Sequence, residues 1–117
     1  MRLWLGIAAV NGALAVIAGA FGAHALKSAL SPELLAAWET GARYHMVHAL
    51  AMGLAAMASA RWSPALFLGG IVLFCGSLYG LALGGPFWLG PVTPLGGALL
   101  IAGWICLAIS SFWKKTP

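Results

Sequence analysis

Three histidines, a serine and a tyrosine are the side chains of this sequence with the widest chemical range. They are His24, His45, His48, Ser77 and Tyr79. Imidazole binds metals and titrates near neutral pH. Three histidines together would suit Zn²⁺ or Cu²⁺, and two on different helices would suit the axial positions of a haem. The alternatives are a proton relay, or structural histidines that hydrogen-bond to carbonyls, to Tyr79 or to lipid headgroups.

The remaining polar groups are few, and they argue against an enzyme. Asn11 lies midway along an apolar run, where an amide is expected to form an interhelical hydrogen bond. The carboxylates, Glu33 and Glu39, lie on the polar face of a predicted amphipathic helix. Cys75 and Cys106 lie in apolar segments, where a thiol behaves as a small hydrophobic group. The sequence contains no serine-hydrolase, zinc-protease or phosphate-loop motif, and we expect no catalytic residue.

The composition places these side chains in a membrane protein. Of 117 residues, 62% are hydrophobic and 7% are charged, whereas soluble domains are about 25% charged. The six Lys+Arg residues are scattered and form no basic stripe, so the positive charge does not indicate a nucleic-acid partner. A soluble enzyme and a disordered chain are excluded. The predicted fold class is an all-α integral membrane protein in a lipid bilayer.

Four apolar blocks predict one domain, 1–117, of four transmembrane helices over about 3–26, 32–60, 64–84 and 94–113. Three starts are marked by Ser31-Pro32, Ser63-Pro64 and Thr93-Pro94, where a hydroxyl caps an amide and proline begins the helix. A helix over 32–60 is about 43 Å long, and the hydrocarbon core is about 30 Å thick. The amphipathic segment 32–43 is therefore expected to lie at the membrane interface and to bend near Gly41 into the span.

The charge pattern predicts the topology. The first apolar run resembles a signal peptide ending at Ala23-His24-Ala25, but it is longer than the usual h-region of about 7–15 residues, so we expect a retained helix. With four spans, two cations (Lys27 and Arg43) fall on one side, and four on the other: Arg2, Arg61, Lys114 and Lys115. The positive-inside rule then predicts a multi-pass protein of the bacterial inner membrane with both termini in the cytoplasm.

Small residues repeat every four positions on two of the predicted helices. The stripes are Ala15, Gly19 and Ala23 on the first helix, and Gly76, Gly80 and Gly84 on the third. Such stripes let helix backbones approach each other in lipid. We expect them to pack the helices of one protomer. The alternative is a homo-oligomer interface or contact with other membrane proteins.

Short stretches along nearly the whole chain resemble a known family, the domain of unknown function 423, or UPF0382, whose members include the animal transmembrane protein 256. The resemblance rests on Gly19-Ala-Phe-Gly-Ala-His-Ala-Leu26, Trp38, Tyr44-His45, His48-Ala-Leu-Ala51, Phe74, Gly76-Ser-Leu-Tyr79, Thr93-Pro-Leu-Gly-Gly97 and Gly103-Trp104. One departure is Cys75, where a smaller residue such as serine is expected.

The resemblance implies a polytopic protein of the bacterial inner membrane and implies no activity. Its recurrent residues coincide with His24, His45, His48 and Tyr79. We therefore expect a non-enzymatic accessory, assembly or lipid-interacting protein without a cofactor. The alternatives are a protein that binds a metal or haem through the histidines, and a small permease formed by oligomerisation.

Overall fold

Four helices account for most of the residues that the structure describes. The computed structural model describes residues 2–113, and the helices are α1 (Arg2–Ala23), α2 (Pro32–Met57), α3 (Ser63–Ala82) and α4 (Leu89–Trp113). The described part contains no strand, so the predicted all-α class is confirmed. Lys114 and Lys115, which entered the topology prediction, lie outside the described residues.

Three of the helices, α1, α3 and α4, are each long and apolar enough to cross a membrane. The remaining helix, α2, carries Glu33, Glu39 and Arg43 in its first half. Its backbone continues as α-helix through Gly41, so 32–43 is not a separate element. Whether this amphipathic part lies at the membrane interface stays a prediction.

Contacts along α1 show that α2 runs antiparallel beside it. Near the end of α1, the indole of Trp38 donates a hydrogen bond to the carbonyl of Ala18. Near the start of α1, a Cβ placed on Gly53 would lie 3.7 Å from that of Ala8. The apolar side of 32–43 therefore packs on protein, since Trp38 is buried against α1.

The helix starts differ in how closely they follow the sequence signals. Ser31 caps α2, because its hydroxyl accepts a hydrogen bond from the amide of Leu34 at 3.3 Å and Pro32 follows. By contrast, α4 begins at Leu89 rather than at Pro94. Proline lacks an amide hydrogen, but so early in a helix it removes one backbone bond without ending the helix. The hydroxyl of Thr93 turns back to the carbonyl of Leu89 at 3.4 Å.

Three helix ends come earlier than predicted. α1 ends at Ala23, α2 at Met57 and α3 at Ala82. After α3, Gly84 has a φ of +86°, the amide of Gly85 donates to the carbonyl of Gly80, and that of Gly84 to Leu81. This pair of bonds is the Schellman motif, in which glycine takes the left-handed position. Gly84 therefore terminates a helix, and it does not pack against one.

The close contact between α3 and α4 is made by glycines outside the predicted stripes. A Cβ on Gly96 would collide with the backbone at Phe74, and one on Gly103 would lie 2.6 Å from the ring of Phe67. Within α3, residues Ile71–Cys75 form a π-helical turn beside this contact. The buried core continues from here to α2 through Met52 and Ala55.

Most residues of the predicted stripes make no such close contact. A Cβ on Gly19 or Gly76 would meet nothing within 4 Å, and Ala23 is exposed. Of the six residues, Ala15 is buried and Gly80 approaches Leu89. Spacing alone does not say which side of a helix faces a neighbour, and a Cβ placed on Gly19, Gly76 or Gly84 meets nothing within 4 Å.

Candidate functional site

A chain of hydrogen bonds crosses the middle of the bundle and joins three helices. His45 of α2 is buried, and its Nδ1 lies 3.0 Å from the hydroxyl of Tyr79 of α3. Its Nε2 lies 3.0 Å from Oδ1 of Asn11 of α1. The amide nitrogen of Asn11 then donates to the carbonyl of Ile7, one turn earlier, at 3.0 Å. We call Asn11, His45 and Tyr79 the His45 network.

The direction of each bond in this network follows from its last acceptor. A backbone carbonyl accepts and never donates, so the Asn11 nitrogen faces Ile7 and its oxygen faces His45. Because that oxygen also only accepts, His45 must carry its proton on Nε2. In the neutral ring, Nδ1 is then an acceptor, and the Tyr79 hydroxyl donates to it. Neutral His45 is thus satisfied at both nitrogens.

His48, one turn further along α2, makes a second set of bonds. Its Nδ1 lies 2.8 Å from the carbonyl of Tyr44, and its Nε2 accepts from the indole nitrogen of Trp104 of α4 at 3.1 Å. The carbonyl requires the proton on Nδ1, and indole only donates. His48 is therefore neutral in the opposite tautomer. We call Tyr44, His48 and Trp104 the His48 network.

Two glycines make room for the rings of Trp38 and Tyr79, which pack together beside the His45 network. The ring of Trp38 lies over Gly22, where a Cβ would come within 2.6 Å of the indole. The ring of Tyr79 lies over Gly41, where a Cβ would come within 2.9 Å. The Trp38 and Tyr79 rings are tilted, with centroids 4.5 Å apart. Adding a side chain at either glycine would displace the ring and, at Gly41, the Tyr79 hydroxyl as well.

Ser77 belongs to a different contact. Its buried hydroxyl donates to the carbonyl of Phe74 at 3.0 Å and lies 2.5 Å from the hydroxyl of Thr93. Since Thr93 is on α4, this pair links α3 to α4 away from the histidines. The buried hydroxyl of Ser63, at the start of α3, has no partner.

The structure does not bring the three histidines together. His24 is exposed in the turn after α1, whereas His45 bonds to Asn11, about 20 Å from the His24 position along a helix axis. The predicted outer-side cluster is thus split, and the His45 part lies at mid-bundle depth. Among residues 2–113, no group of three His, Cys, Asp or Glu side chains could hold a metal ion.

Several contributors to the two networks were not among the predicted site residues. Trp104 and Tyr44 complete the His48 bonds, but a tryptophan and a tyrosine in apolar helices are ordinary core or interface residues. Gly22 and Gly41 lie outside the four-residue repeats. The rotation of α2 between its neighbours determines all of these contacts, and no sequence spacing encodes it.

The fold and these networks define a class: a small helical membrane protein whose buried polar side chains bond to each other across the helices. Residues 18–97 match the family described as Protein of unknown function (DUF423), and the chain belongs to this family.

Curated relatives match over almost the full length. The UPF0382 membrane protein of Staphylococcus aureus (strain bovine RF122 / ET3-1) is 41% identical, with 96% of this chain and 97% of the relative covered. The UPF0382 membrane protein YwdK of Bacillus subtilis (strain 168) is 38% identical, with 95% and 97% covered. No solved structure matches the chain. Both relatives are named as membrane proteins, and neither name gives a biochemical role.

Proposed function

We propose that this chain is a non-enzymatic membrane protein that works by contact, as an accessory, assembly or lipid-interacting protein, through its outer surface. The observation that carries the proposal is the saturation of the two buried histidines. All four of their ring nitrogens already bond to protein groups. Three of these bonds hold α2 against α1, α3 and α4, and the fourth lies within α2. A substrate would have to break them.

The outer surface supports the same proposal. Large apolar side chains are exposed on every helix, among them Val16 on α1, Leu50 on α2, Val72 on α3 and Ile101 on α4. In a membrane, such a surface contacts lipid tails or other helices. Gly12 and Gly19 add places on α1 where the surface is open.

For the topology, we propose that α2 crosses the membrane beside α1, with both termini in the cytoplasm. Support comes from the antiparallel contact between these helices and from the cation count. Single cysteines replacing Lys27 and Arg61, in a background with Cys75→Ala and Cys106→Ala, test it. An impermeant thiol reagent added to intact cells should label Lys27→Cys and leave Arg61→Cys unlabelled. The opposite labelling would reverse the orientation.

Native mass spectrometry of protein released from bacterial membranes tests the proposed mode of action. We expect the intact chain to retain a lipid, a second copy or another membrane protein. Gly19→Trp, which fills an open position, should reduce retention, while Ser110→Ala, whose hydroxyl bonds to the Leu107 carbonyl of its own helix, should not. A bare monomer under all conditions would contradict the proposal.

A further inference from the structure

Two charged side chains of α2, Glu39 and Arg43, lie near the depth of the His45 network. His45 bonds to Asn11, which is midway along α1. Along the axis of α2, Arg43 lies about 3 Å from the level of this bond and Glu39 about 9 Å. With α1 and α2 crossing the membrane as proposed above, both residues fall within the roughly 15 Å half-thickness of the hydrocarbon core.

Both charges lie on the outside of the bundle. Glu39 and Arg43 are exposed, and within the described residues neither side chain forms an ion pair or a hydrogen bond. Charged side chains inside a bilayer almost always face a bundle interior or pair with one another. An ion pair between these two on one helix would neutralise them, but both would still face lipid tails. Their exposure therefore indicates that a polar partner covers this side of α2.

The charges belong to a longer face of α2. Side chains three or four residues apart lie on one side of a helix, and this side is formed by Glu39, Arg43, Met46, Leu50, Leu54 and Met57. We call it the 39–57 face, and apart from Met46 its side chains are all exposed. Beside Glu39 and Arg43, a cavity of about 330 Å³ is lined on α1 by Ala15 and Gly19. Such small residues leave room for a neighbouring helix to approach closely.

We propose that the 39–57 face binds the same face of a second copy, in a two-fold dimer in which Arg43 of each copy pairs with Glu39 of the other. In a two-fold interface each face meets itself, and a face with one cation and one carboxylate is complementary to its own copy. The two positions are offset by about 6 Å along the helix, within the length of an arginine side chain. The proposal rests on the contact function and the topology proposed above and names the partner.

Other occupants suit these charges less well. Lipid phosphates lie outside the hydrocarbon core, whereas Arg43 lies close to the level of Asn11, midway along α1. Another membrane protein would need a carboxylate and a cation at this depth and at this spacing, and a second copy has both. The apolar part of the face, Leu50 to Met57, would then pack helix against helix, as apolar side chains do between spans in lipid.

Charge reversal tests the pairing. Wild-type protein released from bacterial membranes should appear in native mass spectrometry at the mass of a dimer. Glu39→Arg and Arg43→Glu should each lower the dimer fraction about tenfold, because like charges then meet and a charge-assisted contact is lost. Glu33→Arg is the matched control, since Glu33 precedes the 39–57 face, and it should leave the dimer intact.

Mixing the two reversed variants separates a contact between copies from an ion pair within one helix. When Glu39→Arg and Arg43→Glu are co-expressed with different tags, the two arginines of one copy face the two glutamates of the other. The mixed dimer should therefore form, although neither variant forms a dimer with itself, and its recovery would show that both variants fold. Two reversed variants that do not combine would overturn the proposal.

Cysteine cross-linking in membranes tests the apolar part without altering any charge. In a background with Cys75→Ala and Cys106→Ala, Leu50→Cys should form disulfide-linked dimers on oxidation. Val72→Cys on α3 should not, although both side chains are well exposed, and equal cross-linking at the two positions would overturn the proposal. A monomer that retains lipid or another membrane protein would also overturn it and leave the proposed function standing, whereas a bare monomer would overturn both.

Discussion

The two buried histidines of α2 lie one helical turn apart and are held in opposite ways. His45 bonds through Nε2–H to Asn11 and accepts from Tyr79, so both partners are side chains of other helices. His48 bonds through Nδ1–H to the Tyr44 carbonyl of its own helix and accepts from Trp104. The His45 network ties α2 to α1 and α3, and the His48 network ties it to α4. The same residue type on one side of α2 thus joins that helix to different neighbours, and the partners at each position decide which ring nitrogen carries the proton.

The largest expected difference between the networks is all-or-none: the ring proton sits on Nε2 of His45 and on Nδ1 of His48. Solid-state nitrogen NMR on protein labelled at histidine distinguishes the two tautomers directly. Asn11→Leu removes the acceptor that holds the His45 proton on Nε2 and should change only that signal, while Trp104→Phe should change only the His48 signal. Finding both histidines in the same tautomer would contradict the hydrogen bonds assigned to one of the two networks.

Removing each histidine should next show that the His45 network holds the fold more strongly. His45→Leu leaves the side-chain oxygen of Asn11 and the hydroxyl of Tyr79 without their His45 partner, and Asn11 is buried. We expect a loss of about 2–3 kcal/mol in unfolding free energy. His48→Leu strands one group, the indole of Trp104, which is 40% exposed, and should cost about 1 kcal/mol.

Unfolding in mixed micelles measures both variants of this pair. The double variant Asn11→Leu/His45→Leu is the control, because removing both partners should recover part of the loss. Equal losses for the two single variants would show that exposure of the stranded group does not decide the cost.

A smaller effect is expected from the glycine under the Tyr79 ring. Gly41→Ala would put a methyl group 2.9 Å from Cε1 of Tyr79 and should cost about 1–3 kcal/mol by overpacking. It should also weaken the bond to His45 by moving the phenol. Gly76→Ala is the matched control, since its Cβ has open space, and it should gain up to about 1 kcal/mol from helix propensity. The same unfolding assay decides whether Gly41 needs to be glycine.

The sequence predicted the kind of element better than the pairing of elements. The apolar blocks indicated four helices, and Ser31 with Pro32 marked the start of α2, because caps are local. Asn11 was expected to bond between helices, as an amide among apolar residues must find a partner. Its partner depends on how α1 and α2 are rotated, and so does the close contact at Gly22. The contact at Gly96 depends in the same way on how α3 and α4 are rotated. Histidine spacing likewise suggested a cluster of His24, His45 and His48, because the sequence did not show that Asn11 and His45 lie at one depth.

The smallest expected effect comes from the polar contact outside both histidine networks. Ser77→Ala removes one hydroxyl of the pair between α3 and α4, but Thr93 keeps its bond to the Leu89 carbonyl. No buried group is therefore stranded, and the loss of unfolding free energy should be about 0.5–1 kcal/mol. Ser110→Ala, whose hydroxyl bonds within its own helix at 3.2 Å, should change stability less still. A loss for Ser77→Ala equal to that for His45→Leu would mean that contacts between helices, and not stranded partners, set the energetic scale. In that case the difference between the two histidines would have to be attributed to packing.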